Sequence, residues 1–151
     1  MQKRLTPKEF KQVYGKVPRL CVDLVIMDKG GILFTKRAIN PCKGQWHLPG
    51  GTVLFNETLE QAAHRVAKEE LGIKIKIHDD LGYMQFFIKG KKYHAMSIAF
   101  ISTPKGNSTI TLDRQASEYK YFKNLDKNTV KEHKAFLTKY IRRHKNGTKR
   151  I

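Results

Sequence analysis

The strongest structural signal in the chain is the segment of residues 50–73, which has the sequence GGTVLFNETLEQAAHRVAKEELGI. Thr58 followed three residues later by Gln61 forms a capping box, so we expect a helix to begin immediately after Thr58. Gly72 stands where a left-handed C-cap belongs, which predicts that the helix ends near Leu71. The segment therefore predicts a glycine turn that leads into one short helix.

The predicted helix carries charged side chains close to this turn. Arg65 and Glu69 are four residues apart and share one helical face, and Glu70 lies beside them. Adjacent carboxylates on a rigid helix suit a hard divalent cation such as Mg²⁺, which prefers oxygen ligands and keeps substrate phosphates in its coordination shell. The alternative is an ordinary helix with solvated carboxylates.

The same segment resembles the Nudix box, in which glycine, glutamate and arginine recur at fixed spacing. The matching positions are Gly51, Glu57, Arg65, Glu69, Glu70 and Gly72. The chain departs from the pattern at Val66, where the family has a glutamate. The resemblance covers nearly the whole chain and implies an α/β fold, the Nudix-type α/β/α sandwich with a mixed β-sheet.

Length and composition set the class of protein. A chain of 151 residues is expected to form a single domain, residues 1–151, with a sizeable core. No apolar run reaches the length of a membrane span and the first residues lack a signal-peptide core, so we expect no membrane partner. Cys21 and Cys42 form no disulfide framework, which makes the reducing cytoplasm the expected location.

The formal net charge of +17 is concentrated at the two ends. Residues 1–19 contain six basic and one acidic side chains and residues 120–151 contain eleven and two, whereas residues 20–119 contain thirteen and ten. Basic ends can bind nucleic acid or steer an anionic substrate. Because salt screens charges beyond about 8 Å, we favour a solvated basic surface over a nucleic-acid partner. We expect residues 142–151 to be a flexible basic tail.

Periodicity and turn residues predict the other elements. A capping box of Thr6 and Glu9 predicts a short N-terminal helix, and residues 130–141 are spaced as a closing amphipathic helix. The apolar faces of these two helices allow a homodimer. The predicted strands cover residues 20–27, 32–37, 73–77, 81–88, 93–102 and 119–122, with a turn at residues 89–92.

Two charged residues lie in the first pair of predicted strands. Asp23 interrupts an apolar strand and Arg37 ends the next one. A carboxylate in such a strand faces solvent or is paired, so the two side chains either face a common cleft or form a cross-strand ion pair. His94 begins a later strand, where a core or edge histidine and a ligand contact are the alternatives.

Within the Nudix family the chain is similar to the GDP-mannose mannosyl hydrolase branch, which also lacks the glutamate replaced by Val66 and cleaves at the sugar carbon. Further matches are Glu9-Phe10, Pro18, Asp23, Lys36-Arg37, Pro41, Gly44, Trp46 and Pro49-Gly50-Gly51. The similarity implies a hydrolase that uses Mg²⁺, or Mn²⁺ in its place. Its implied substrate is a small nucleotide, a nucleoside diphosphate sugar of the GDP-mannose type, from which it releases the sugar and the nucleoside diphosphate.

The resemblance also implies roles for individual residues. The implied metal ligands are Gly50 (through its carbonyl), Glu70 and Gln115, with Glu69 as a further acid. The implied catalytic and substrate-binding residues are Asp23, Arg37, Trp46, Arg65 and His94. In attack at an anomeric carbon, negative charge grows on the departing diphosphate, which one metal ion and Arg37 can stabilise.

One departure concerns the general base. The branch has a histidine directly after the position matched by Gln115, and this chain has Ala116 there. Glu118, Asp113 or His94 would then have to serve as the base.

Two other functions stay open on the sequence alone. A metal cluster would support a Nudix pyrophosphohydrolase that attacks phosphorus in a nucleoside diphosphate derivative or a nucleoside triphosphate. Its members would be Glu57, Glu69, Glu70 and Glu118. Alternatively, the loss of a box glutamate and of the histidine is what a catalytically impaired nucleotide-binding module would show.

Overall fold

A computed structural model describes residues 3–88, 93–107 and 109–145, with the main chain only for residues 144 and 145. The helices are α1 (Pro7–Tyr14), α2 (Leu59–Leu71) and α3 (Lys131–Lys145). The strands are β1 (Arg19–Asp28), β2 (Gly31–Arg37), β3 (Trp46–His47), β4 (Gly50–Thr52), β5 (Ile75–Phe87), β6 (His94–Pro104) and β7 (Ala116–Phe122). The predicted turn at residues 89–92 lies outside the described residues.

The strands form one mixed sheet with helices on both faces. Its central order is β3–β2–β1–β6–β5, with β4 paired to β1 and β7 paired to β2. β1 and β6 run parallel, and the other pairs are antiparallel. Val22 and Leu24 of β1 pack in the core on the α2 side, whereas Val25 packs with Leu137 of α3. The α/β/α sandwich expected from the sequence is confirmed.

Both predicted capping boxes are present. Thr58 Oγ1 accepts a hydrogen bond from the main-chain N–H of Gln61, and the Gln61 side chain accepts one from Thr58 N–H. Thr6 and Glu9 make the same reciprocal pair at the start of α1. Gly72 ends α2 at φ +67°, a left-handed conformation that glycine adopts without a Cβ penalty. None of the described helices is long and apolar enough to span a membrane.

The sheet contains two short strands that were not predicted, β3 and β4, and it differs from the prediction in β5 and β7. The segments predicted as separate strands over residues 73–77 and 81–88 form the single strand β5, because register shifts absorb the polar residues between them. β7 begins at Ala116 rather than Tyr119 because its first residues pair with the end of β2.

The two terminal helices are the elements that concern the predicted flexible tail and the predicted homodimer. α3 continues to Lys145, so the first four residues of the predicted flexible tail are helical, and residues 146–151 lie outside the described part of the chain. No residue of α1 is buried within the chain. The homodimer stays a prediction.

β1 changes partners along its length, and this change makes room for a site. Its C-terminal end pairs with β2 through Met27 and Asp28, whereas residues 21–23 pair with β4. β4 therefore occupies the place beside β1 that β2 has left. Asp23 faces Gly50 across the β1–β4 pair, and Arg37 lies at the far end of the diverging strand β2.

Candidate active site

A cavity of about 750 Å³ opens where these strands diverge, close to the start of α3. Its lining includes Asp23, Arg37, His47, Gly50 and His133. The volume is in the range of small-molecule pockets in proteins. Asp23 and Arg37 thus share a cleft, and no ion pair joins them among the described residues.

The guanidinium of Arg37 is held at one nitrogen only. Its Nε donates a hydrogen bond to the Pro41 carbonyl over 2.5 Å, and within the described part of the chain its Nη1 and Nη2 atoms have no hydrogen-bond partner. Its positive charge acts on the titration of both Glu70 and His47. This leaves a planar pair of donors in the cavity wall, which matches phosphate oxygens.

Glu70 lies near the C-terminal end of α2, against the glycine turn. The main-chain N–H of Gly50 donates to Glu70 Oε2 over 3.3 Å. Burial, together with the negative charges of Asp113 and Asp23, raises the pKa of Glu70 to about 8, although the Gly50 hydrogen bond and Arg37 act in the opposite direction. Burial and two neighbouring acids thus act together on Glu70. We call Asp23, Glu70 and Asp113 the cavity cluster: Asp23 lines the cavity, and Glu70 is joined to the lining through Gly50.

The loop before β7 brings further side-chain oxygen atoms close to Glu70. The Asp113 N–H donates to the Glu70 carbonyl over 3.3 Å. Gln115 donates to the Asp113 carboxylate with its main-chain N–H over 2.9 Å and with its side-chain amide over 3.3 Å. Gln115, implied as a metal ligand, is thus tied to Asp113, which the sequence suggested only as a substitute base.

The other acids of the box face arginines instead. Arg65 donates to both carboxylate oxygens of Glu57, over 2.7 and 2.9 Å, to the Thr52 carbonyl over 2.8 Å and to Glu69 over 3.1 Å. Arg4 also binds Glu69, over 2.5 and 2.6 Å. We call Arg4, Glu57, Arg65 and Glu69 the brace cluster, because it ties the loop after β4 to α2. Arg65 lies in this cluster and not in the cavity lining.

The arginines of the brace cluster lower the pKa values of its two glutamates. Hydrogen bonds from Arg65 hold the pKa of Glu57 below its ordinary value. Partial burial alone would raise the pKa of Glu69, but its bonds to Arg4 and Arg65 lower it overall. Both carboxylates are therefore already neutralised by cations of the chain itself.

Val66 marks the place of the missing box glutamate. Its side chain is 1% exposed and belongs to the core between α2 and the sheet. A Cβ built at Gly51 would lie 3.1 Å from Val66 Cγ2, so the valine packs directly beneath the glycine turn. The position is part of the hydrophobic core and supplies no ligand.

Of the predicted site residues, Asp23, Arg37 and Gly50 line this cavity. Arg65, Glu69, Glu70 and Gln115 are not part of its lining, and three others lie elsewhere. Trp46 packs in the core with its ring 5.0 Å from that of Phe122. His94 stacks on Phe87 at 4.4 Å and lines a smaller separate pocket. Glu118 lies exposed on β7, where Lys36 pairs with it over 3.3 Å. The strand register places Glu118 there, because β7 begins at Ala116 and pairs Glu118 with Lys36 of β2.

The cavity also contains two histidines that the sequence did not single out. His47 hydrogen-bonds through Nε2 with Thr35 Oγ1 over 3.0 Å, and its pKa is well below the ordinary value because of burial and the nearby charges of His133 and Arg37. His133 accepts a hydrogen bond from Leu48 N–H at Nδ1 over 3.0 Å. A signal for His133 exists in the sequence: it lies three residues after Val130 and four before Leu137, on the apolar face of the closing helix.

Comparison with known proteins identifies the family of the chain. The family model of the NUDIX domain matches residues 17–143. This chain belongs to the Nudix family. It is 38% identical over 125 residues to the low-salt glycan biosynthesis protein Agl8 of Haloferax volcanii, covering 79% of this chain and 80% of that protein. The Nudix resemblance of the box is thereby confirmed.

Two further proteins are similar to the chain in sequence or in structure. An ADP-ribose pyrophosphatase of Methanocaldococcus jannaschii is 36% identical over 132 residues, covering 86% of this chain and 76% of that protein. The crystal structure of a MutT NUDIX hydrolase from Burkholderia pseudomallei matches with a TM-score of 0.74 at 25% identity, covering 81% of this chain and 97% of that one.

Nudix enzymes generally use divalent metal ions such as Mg²⁺ or Mn²⁺, and the cavity cluster fits such an ion. Its donors are oxygen atoms, and burial together with the charges of Asp113 and Asp23 raises the pKa of Glu70, so a cation beside it would favour the ionised form. Among the described residues, no three acidic, histidine or cysteine side chains enclose an ion by themselves. A magnesium ion normally accepts one or two carboxylates together with substrate phosphates, so this sparse set is sufficient.

Proposed function

We propose that the chain is a magnesium-dependent Nudix hydrolase of a nucleoside diphosphate sugar, which releases the sugar and the nucleoside diphosphate. The observation that carries the proposal is that only Glu70, of the box glutamates, lies in the cavity cluster. Glu57 and Glu69 are neutralised by arginines, and Val66 is buried in the core. One metal ion with few carboxylates is what attack at a sugar carbon requires, since the ion need not activate water at phosphorus.

The proposed reaction uses side chains of the cavity wall and of the cavity cluster. The oxygen of a water molecule bonds to the anomeric carbon while the bond from that carbon to the diphosphate oxygen breaks. The electron pair of that bond leaves with the diphosphate, and one proton of the water passes to solvent. Arg37, with its Nη donors in the cavity, would bind the diphosphate and stabilise the charge that grows on it. When bound beside Glu70, with the Gly50 carbonyl, Asp113 and Gln115 nearby, Mg²⁺ would supply further positive charge to the same oxygens.

A second candidate is hydrolysis at phosphorus. One observation favours it: a relative of 36% identity is named as an ADP-ribose pyrophosphatase. ADP-ribose is itself a nucleoside diphosphate joined to a sugar, so both candidates share a substrate class and differ in the bond that is broken. The name of the other relative, a glycan biosynthesis protein, supports sugar nucleotides more generally.

Hydrolysis in water labelled with oxygen-18 separates the two candidates. The purified chain would be incubated with Mg²⁺ and a panel that includes GDP-mannose and ADP-ribose, and the products analysed by mass spectrometry. For GDP-mannose, in which the diphosphate is attached to the anomeric carbon, we expect the label in the released sugar. Label in a phosphate-containing product would replace the proposal by attack at phosphorus, and the absence of turnover on the whole panel would favour a nucleotide-binding module.

A further inference from the structure

His133 is a cavity-wall side chain whose orientation is fixed by the main chain. It is 4% exposed, with the Phe86 ring edge-on at 5.4 Å and the His47 ring stacked at 6.3 Å. The Leu48 N–H donates to its Nδ1 over 3.0 Å. Because Nδ1 is an acceptor in this bond, the ring carries its proton at Nε2. His133 therefore presents an N–H donor at Nε2.

This donor lacks a partner among the described residues. Nε2 is buried without a hydrogen bond, and Asp23 Oδ1 lies 3.5 Å away, within ion-pair distance but outside hydrogen-bond geometry. Leaving a buried donor unsatisfied is costly, and such groups in native proteins call for an explanation. A ligand in the cavity would supply the missing acceptor.

We propose that His133 Nε2–H and the Asp23 carboxylate form a donor–acceptor pair that binds hydroxyl groups of the sugar. The proposal rests on the proposed function and adds the residues that recognise the sugar. A hydroxyl both donates and accepts, so it can satisfy either member of the pair. Two neighbouring hydroxyls of one sugar, one accepting from His133 and the other donating to Asp23, can engage both at once.

The pair is poorly suited to the other half of the substrate. Phosphate oxygens only accept hydrogen bonds and carry negative charge, so Asp23 would repel them. The diphosphate has a better site at Arg37. Asp23 pairs with Gly50 across β1 and β4, and the Gly50 N–H donates to Glu70. The hydroxyl site therefore lies next to the candidate metal site, as a sugar joined directly to a diphosphate requires.

The test compares the affinity for a nucleotide sugar with that for the same nucleotide without the sugar. Calorimetric titrations would use metal-free protein in a chelator, to prevent turnover, with GDP-mannose against GDP and ADP-ribose against ADP. His133→Asn is the informative variant, because its amide oxygen can accept from Leu48 N–H while no group reaches the place of Nε2. His78→Asn is the matched control, since this exposed histidine hydrogen-bonds Thr103 and is not part of the cavity lining.

We expect His133→Asn to weaken binding of the preferred nucleotide sugar roughly fivefold to tenfold, the loss of one hydrogen bond, and to leave the free diphosphate within about twofold. His78→Asn should change neither. Equal weakening for both ligands, or no weakening in a protein that prefers the nucleotide sugar, would overturn the role of His133. If the unaltered chain bound no nucleotide sugar more tightly than its diphosphate, the proposed function itself would fail.

A second measurement avoids dependence on the variant's folding. In the unaltered protein labelled with nitrogen-15 at histidine, the Nε2–H resonance of His133 should shift when GDP-mannose or ADP-ribose is added. It should shift much less with GDP or ADP. The same shift with the free diphosphate would assign the donor to phosphate and contradict the hydroxyl site.

Discussion

Two neighbouring glutamates on α2 lie in opposite electrostatic surroundings. Glu69 belongs to the brace cluster, where Arg4 and Arg65 bind it directly. Glu70 belongs to the cavity cluster, where burial, Asp113 and Asp23 raise its pKa to about 8. The two residues are adjacent in the same motif, but Glu69 is bound by two arginines whereas Glu70 is buried beside two other acids. Charge balance, rather than membership of the motif, therefore separates the structural acids from the candidate metal ligand.

The largest expected effect is on turnover when the cavity cluster loses its box acid. Glu70→Gln keeps the shape of the side chain but removes a negative charge and an anionic ligand. We expect kcat to fall roughly 10³-fold, since a bound metal ion contributes several kcal/mol of charge stabilisation in the transition state. Initial rates measured as a function of magnesium concentration would show this fall in kcat.

The control for this variant is a measurement of its folding. Circular dichroism and urea unfolding should show that Glu70→Gln folds as the unaltered chain does. Full turnover with an unchanged magnesium dependence would remove Glu70 from the metal site and with it the contrast between the two clusters.

The second expected effect is a pH dependence of stability in metal-free protein. The folded-state pKa of Glu70, about 8, is above its ordinary value of 4.5, so the fold favours the protonated form. The resulting contribution to the free energy of unfolding is fully present below pH 4.5 and is lost as the pH rises through 8. The loss is at most a few kcal/mol, at roughly 1.4 kcal/mol per pH unit.

Comparison with Glu70→Gln isolates this contribution from all other titrating groups. Urea unfolding in a chelator should give similar stabilities for the two proteins near pH 5. The variant should be the more stable near pH 8.5, because glutamine resembles the protonated acid. Parallel stability curves over this range would show that Glu70 is not an acid held neutral by its surroundings.

The third prediction concerns the brace cluster, where a substitution should lower the stability of the fold more than it lowers turnover. The side chain of Glu57 is only 3% exposed, so Arg65→Met would leave it as a buried carboxylate without its partner. We expect the free energy of unfolding to fall by about 2–4 kcal/mol. Arg65→Lys should lie between, because lysine keeps the charge but lacks the planar fork that binds Glu57. Normal stability with collapsed turnover would instead make Arg65 a pocket residue.

The sequence predicted much of this fold because its signals are local. The capping box of Thr58 and the left-handed Gly72 define α2 without knowledge of the rest of the chain. Asp23 stood out as a charge inside an apolar strand, and it lies in the cavity. Such features depend on neighbours within a few positions, which is where sequence patterns are informative.

What the sequence did not predict depends on distant partners. The neutralisation of Glu69 requires Arg4, sixty-five positions away, and the start of β7 depends on pairing with β2. His133 belongs to the cavity only because α3 packs back across the sheet, where Leu48 and Asp23 meet it. No spacing rule links these positions, since tertiary packing brings them together.

The smallest expected effect, and the most discriminating, is that of Glu69→Gln. The side chains of Glu69 and Arg4 are 44% and 58% exposed, and exposed ion pairs contribute about 0.2–1 kcal/mol. We therefore expect stability to change by less than about 1 kcal/mol and turnover to stay within about twofold, with an unchanged magnesium dependence. Glu60→Gln, an exposed acid of the same helix, is the matched control for net charge, and raising the salt concentration should reduce any difference further. A loss of turnover comparable to that of Glu70→Gln, with a shifted magnesium dependence, would make Glu69 a metal ligand. The box acids would then act as a cluster, and the balance would move towards hydrolysis at phosphorus.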